Sequence, residues 1–147
     1  MPKTVYLIED EETMQELCVS FLNTALPDLA VVGTAVHGEE AHEACLKLRP
    51  SLIIVDVRLP DVSGLELLSR FKKELPETLI LVFSGTECSE VVKSAWVGKA
   101  DGFVEKSSGM NHIKEAIESI FAGKPYFSQS TASKIIDLSV ARRTPGS

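Results

Sequence analysis

A doubly wound α/β fold, with five parallel strands and helices on both faces, is what the sequence predicts, and three observations predict it. Short apolar runs alternate five times with segments whose apolar residues recur at helical spacing. The run Leu52, Ile53, Ile54, Val55 is mostly β-branched, unbroken and too short for a helix, as a strand covered on both faces should be. Chemistry-bearing residues follow the strands directly: Glu9 and Asp10 the first, Asp56 the third, Ser84 the fourth and Lys106 the fifth. Right-handed crossovers and a strand order 2-1-3-4-5 place the ends of strands one and three side by side, at the switch point where such sheets bind ligands.

Each element has its own grounds. Residues 5–8 are an apolar strand running into four acids, and Met14, Leu17, Cys18, Phe21, Leu22 and Ala25 then trace one face of a helix up to Pro27. Residues 29–36 make the second strand, weakened by Gly33, before a His37-Gly38 turn. Ala41, Ala44, Cys45 and Leu48 form the next helix, stopped by Pro50. After the central strand, Pro60 and Gly64 punctuate a loop, and Leu65, Leu68, Phe71 and Leu75 trace a third helix. Residues 79–83 are an unbroken apolar strand ending in Ser84-Gly85, and a fourth helix with a weaker pattern spans roughly 87–97. Phe103-Val104 is the fifth strand. Ile113, Ala116, Ile117, Ile120 and Phe121 form an amphipathic helix closed by Gly123 and Pro125.

Composition narrows the function classes. A chain of 147 residues, 44% hydrophobic and 24% charged, fits one globular domain, here 1–123, with a short remainder, 124–147. A formal charge of −6 argues against an extended nucleic-acid surface, which needs clustered Lys and Arg. Cys18, Cys45 and Cys88 are an odd number without metal-ligand spacing and read as small buried thiols in a reducing compartment. No segment has the length of a signal peptide or membrane span, so the expected location is cytoplasmic.

Asp56 is the centre of the prediction. A carboxylate at the end of a buried strand loses hydration unless a cation or donors replace the water. Three carboxylates, from Glu9, Asp10 and Asp56, converging on one sheet edge repel each other and call for a hard divalent cation, which oxygen ligands suit as Mg²⁺. Lys106 adds a second positive centre and Ser84 a hydroxyl donor. An anion on Asp56 would meet metal, ammonium and hydroxyl together, which describes a phosphoryl site.

At these residues the sequence resembles the receiver domain of bacterial two-component response regulators, over nearly all of residues 3–122. The resemblance rests on the acidic pair, on the Asp-x-x-x-Pro-x-x-x-Gly run from Asp56 through Pro60 to Gly64, and on Ser84 followed by a small residue. An aromatic, Phe103, stands three positions before Lys106. It implies a flavodoxin-like (CheY-like) five-stranded sheet and a phosphoacceptor, Asp56, loaded by a histidine kinase or phosphotransfer protein. Asp10, Asp56 and the backbone carbonyl of Arg58 would bind Mg²⁺, with Glu9 acting through water. Lys106 and Ser84 would hold phosphoryl oxygens, and Ser84 with Phe103 would switch the surface of the fourth helix, fifth strand and fifth helix. No enzyme activity beyond self-phosphorylation and autodephosphorylation is implied, and homodimerisation on activation is a possible consequence.

Ser107 stands where the family commonly has Pro after the Lys. A trans Lys106–Ser107 bond is expected, since a cis bond before Ser costs about 2.5–4 kcal/mol. This and Gly123-Lys124-Pro125-Tyr126-Phe127-Ser128 resemble the branch that precedes a LuxR-type helix-turn-helix domain. Ala132, Ile135, Ile136 and Val140 suggest a partly helical linker, and an excised receiver is favoured over a stand-alone one. Competing readings are an unphosphorylated interaction module, a flavin-binding domain, disfavoured by the acids after strand one, and a Mg²⁺-dependent phosphotransferase, in which a second Asp would stand where Arg58 does. His37, His42 and His112 lack ligand spacing and read as bystanders, and Trp96 as packing.

Overall fold

The alternation is realised strand by helix. The computed structural model describes residues 3–85 and 89–127. The readings placed on Cys88, the start of the fourth helix at 87 and the helical linker beyond 127 lie outside these described residues. The order is β1 (Lys3–Ile8), α1 (Glu12–Ala25), β2 (Leu29–Ala35), α2 (Gly38–Leu48), β3 (Leu52–Val55), α3 (Gly64–Glu74), β4 (Leu79–Ser84) and α4 (Ser89–Val97). Then come β5 (Gly102–Glu105), a 3₁₀ turn (Lys106–Ser108), α5 (Met110–Phe121) and β6 (Tyr126–Phe127).

The sheet runs β2-β1-β3-β4-β5-β6, every neighbouring pair parallel. The expected order holds for the first five strands, and the sixth is an addition. Its register, Gly102 opposite Tyr126 and Phe103 opposite Phe127, extends the edge of β5. Two residues are too few to show a period, so the sequence pattern carries no sign of it.

Side chains alternate between two apolar layers. Tyr6, Ile8, Ile53, Val55, Ile80 and Val82 face α2, α3 and α4, whereas Val5, Leu7, Leu52, Ile54, Leu81 and Phe83 face α1 and α5. All four residues of β3 are buried, as its unbroken apolar run requires. Burying each such side chain stabilises the fold by about 1.5–3 kcal/mol. Gly33, a weak point in the strand pattern, has a packing reason: a Cβ there would come within 2.5 Å of the Tyr6 ring. The β1–β2 register shifts between Val5 and Tyr6, next to that approach. One member of the α1 stripe departs from expectation, since Leu17 is 53% exposed while Cys18 and Leu22 face the core. Cys18 and Cys45 are buried free thiols, and burial pushes each up to about 12. No peptide bond among the described residues is cis, so Lys106–Ser107 is trans as expected.

Candidate functional site: the acid pocket at the strand ends

Parallel pairing carries the acids together. The β1 ladder continues past Ile8, whose carbonyl accepts from the Asp56 amide at 2.9 Å, while the Glu9 amide donates to Ala35 at 3.0 Å. Glu9 and Asp56 are therefore pinned as neighbours, and both are buried. Asp10 stands at the exposed rim. One carboxylate oxygen from each of Glu9, Asp10 and Asp56 falls within 4.8 Å of the others. Ser84, the last residue of β4, is buried and pairs in register with Glu105.

Lys106 enters from the end of β5. Its Nζ lies 2.9 Å from Asp56 Oδ2 and 2.8 Å from Glu9 Oε1. The first contact is a hydrogen bond, and the second is an ion pair that brings the same ammonium to the buried Glu9 Oε1. The other Glu9 oxygen accepts from the Glu11 amide at 3.0 Å. Gln15 Nε2 donates to the carbonyls of Glu9 and Ala35, tying α1 to the same corner.

The charges do not balance. Burial pushes the Glu9 carboxyl up to about 7, against the pull of Lys106, and burial likewise raises Asp56 above its ordinary range. Burial opposes charge on Asp10 as well, but hydrogen bonds shared with Glu9 and Asp56 and the Lys106 charge hold it lower. Lys106 loses hydration too, yet its two carboxylate partners hold its pKa above the ordinary value. One ammonium among three carboxylates leaves an excess of negative charge. An all-oxygen acidic cluster of this kind fits a hard divalent cation.

The loop after β3 is held from both sides. Gly64 donates its amide to the Val57 carbonyl at 2.8 Å, and a Cβ at Gly64 would collide with the Asp56 carbonyl oxygen. That close approach is why the run from Asp56 must end in glycine. The Arg58 amide donates to Asp56 Oδ1 at 3.3 Å, and the Ser63 hydroxyl caps α3 through the Leu65 amide. Asp61, absent from the sequence-based candidates, accepts from the Gly38 and Glu39 amides at 2.7 and 3.0 Å, capping α2 across the loop. These two amide bonds hold its carboxyl below the ordinary range. The one sequence signal was indirect: α2 starts at a His-Gly turn with no capping side chain of its own, so its amides needed a distant acceptor.

The family model described as the response regulator receiver domain matches residues 5–118. The chain belongs to that family. The receiver is 31% identical over 129 residues to the nitrate/nitrite response regulator protein NarL of Escherichia coli, covering 88% of this chain and 59% of that one. It is 35% identical over 112 residues to a protein-glutamate methylesterase/protein-glutamine glutaminase of Methanospirillum hungatei, covering 74% and 32%. The chain thus spans about three-fifths of the length of NarL, at 59%. Among solved structures, a LuxR-family two-component response regulator from Aurantimonas superposes with a TM-score of 0.85 at 27% identity, covering 95% of this chain and 99% of that one. The isolated receiver of RcsB from Salmonella enterica, solved with the phosphomimetic BeF₃⁻, shares the fold at a TM-score of 0.85 and 18% identity, covering 91% and 99%.

The remaining candidates sort by place. Phe103 is fully buried under α4, with its ring facing the core. His42 pairs with Glu74 at 2.7 Å and stacks on Phe71, and His112 meets the Tyr126 hydroxyl, so both have structural partners. A cavity of about 570 Å³ lies at the opposite end of the receiver, between Leu29, Ile117 and Phe121, and is lined by none of Glu9, Asp10 and Asp56.

Proposed function

We propose that this receiver accepts a phosphoryl group on Asp56 in a Mg²⁺-dependent reaction and relays its presence to the surface formed by α4, β5 and α5. The observation that carries the reading is the Lys106 ammonium set 2.9 Å from Asp56, beside an acid cluster with surplus negative charge. An Asp56 oxygen would attack the phosphorus of a kinase phosphohistidine. The P–N bond breaks, its electron pair stays on the imidazole nitrogen, and that nitrogen takes a proton from solvent. Lys106 would turn from the carboxylates to a phosphoryl oxygen, and Ser84 would donate to another. Asp10, Asp56 and the Arg58 carbonyl would hold Mg²⁺, with Glu9 acting through water, and the ion would neutralise phosphoryl charge and favour in-line geometry. Phe103, on the strand that ends in Lys106, would carry the change outward together with Ser84.

The donor is a sensor histidine kinase or a phosphotransfer protein, the usual source for the family. The output proposed is transcriptional, through a helix-turn-helix domain joined beyond the 124–147 linker. The names of NarL and of the transcriptional activator protein ExaE of Pseudomonas putida support it. The name of the methylesterase relative points to an output other than transcription in a similar protein. Homodimerisation on activation is supported by the RcsB neighbour described as dimers bound to DNA. Among the described residues no helix is long and apolar enough to cross a membrane.

Intact mass after incubation with acetyl phosphate tests the reading. A gain of one phosphoryl group that needs Mg²⁺ and is absent from Asp56→Asn is expected. No adduct with either acetyl phosphate or beryllofluoride would refute it.

A further inference from the structure

β6 is short, but it grips three elements at once. Phe127 turns to the α4 side of the sheet, edge-on to Trp96 with ring centroids 5.2 Å apart and nearly parallel to Phe103 at 6.4 Å. Tyr126 turns to the α5 side, where its hydroxyl donates to Glu115 at 3.1 Å and lies 2.9 Å from His112 Nδ1. The Tyr126 amide donates to the Asp101 carbonyl just before β5. Gly102 leaves room for this strand: a Cβ there would sit 3.1 Å from the Tyr126 carbonyl oxygen and 2.8 Å from Ile120 Cδ1. Beyond Phe127 the chain runs on to Ser147.

The element beneath β6 is the one that supplies the ammonium of the acid pocket. Phe103 lies under Phe127 within β5, and three residues later Lys106 holds Asp56 and Glu9. Whatever fixes the end of β5 also fixes the template on which β6 pairs. Resting on the phosphoacceptor reading above, we infer that Tyr126 and Phe127 form a latch that clamps the C-terminal segment across α4, β5 and α5. The latch is coupled through Phe103 and β5 to the acid pocket, so that a phosphoryl group on Asp56 tightens it. A phosphoryl oxygen on Asp56 would replace the Asp56 and Glu9 carboxylates as the partner of Lys106 and draw the end of β5 over the acceptor, and a β5 edge held there is the better partner for β6. The latch thereby sets where the chain after Phe127 leaves the domain. Coupling of this kind is reciprocal, so loosening β6 must weaken the phosphoryl state by the same factor.

The test uses the 147-residue chain with Mg²⁺ and beryllofluoride as the phosphoryl mimic. Hydrogen exchange at the Tyr126 and Phe127 amides, which needs no variant, is expected to slow at least about fivefold on adduct formation, at the low end of ordinary allosteric coupling. Trp96 is the chain's single tryptophan, so its emission should shift with the adduct in the native chain and lose that response in Phe127→Ala. Phe127→Ala should bind the mimic at least about fivefold more weakly, and Phe127→Tyr, which keeps the ring, should restore it. If the native chain forms the adduct while either exchange or Phe127→Ala affinity stays unchanged, the latch is overturned and the phosphoacceptor reading stands. If the native chain forms no adduct, both fall together.

Discussion

The two ends of β5 make an instructive pair. At its C-terminal end Lys106 stands among three carboxylates whose charge one ammonium leaves unbalanced. Along its edge Phe127 meets Phe103 and Trp96 in neutral ring contacts, with the Tyr126 hydroxyl partnered. The first region is held in electrostatic tension that a cation or a new anion can redistribute, whereas the second is held by the packing of neutral rings. A signal carried from one to the other has to change currency from charge to packing, and β5 is the backbone the two regions share.

The largest expected effect breaks the charged end outright. Asp56→Asn should remove all Mg²⁺-dependent phosphoryl uptake measured by intact mass, while leaving the far-ultraviolet circular dichroism unchanged. Next, Gly64→Ala should destabilise the fold by about 2 kcal/mol in urea titration, because its methyl must displace the Asp56 carbonyl and overpack the loop. An unchanged midpoint would mean that this loop is looser than its contacts imply.

A pH series sharpens the contrast. Glu9 releases its proton at about 4.5 unfolded but only at about 7 when folded, so between these values the folded state holds more protons. Metal-free stability from this group should therefore fall as pH rises through that window. Mg²⁺, if bound by the acids, should stabilise the protein more at pH 8 than at pH 5, as thermal melts with and without the ion would show. The aromatic end should ignore salt: a Trp96–Phe127 double-mutant cycle should return about 0.5–1.5 kcal/mol at low and high ionic strength alike. Asp61→Ala should cost about 1 kcal/mol as the α2 cap is lost, with Asp61→Asn retaining most of it.

Much of the charged end was legible because its chemistry contradicts its surroundings. Asp56 after four apolar residues, and Lys106 after Phe103-Val104-Glu105, stand out against the strands they end, and parallel topology brings those ends together. Ring contacts offer no such contradiction. Phe127 and Trp96 could have been packed anywhere, and Leu17, apolar and in phase with its helix, lies half in solvent. Asp61 belonged to a loop whose acids had no local partner, and its acceptor role depends on a turn more than twenty residues away.

By itself the sequence determined the alternation of elements, the β2-β1-β3-β4-β5 core of the sheet and the set of polar residues at its edge. Periodicity and hydration cost are local properties that a linear chain displays. Only the tertiary structure decided that β6 pairs with β5, that Phe127 covers Phe103, and that one ammonium is shared between Glu9 and Asp56. Those outcomes depend on distances between residues far apart in the chain, where packing and unscreened charge, rather than residue type, set the energy.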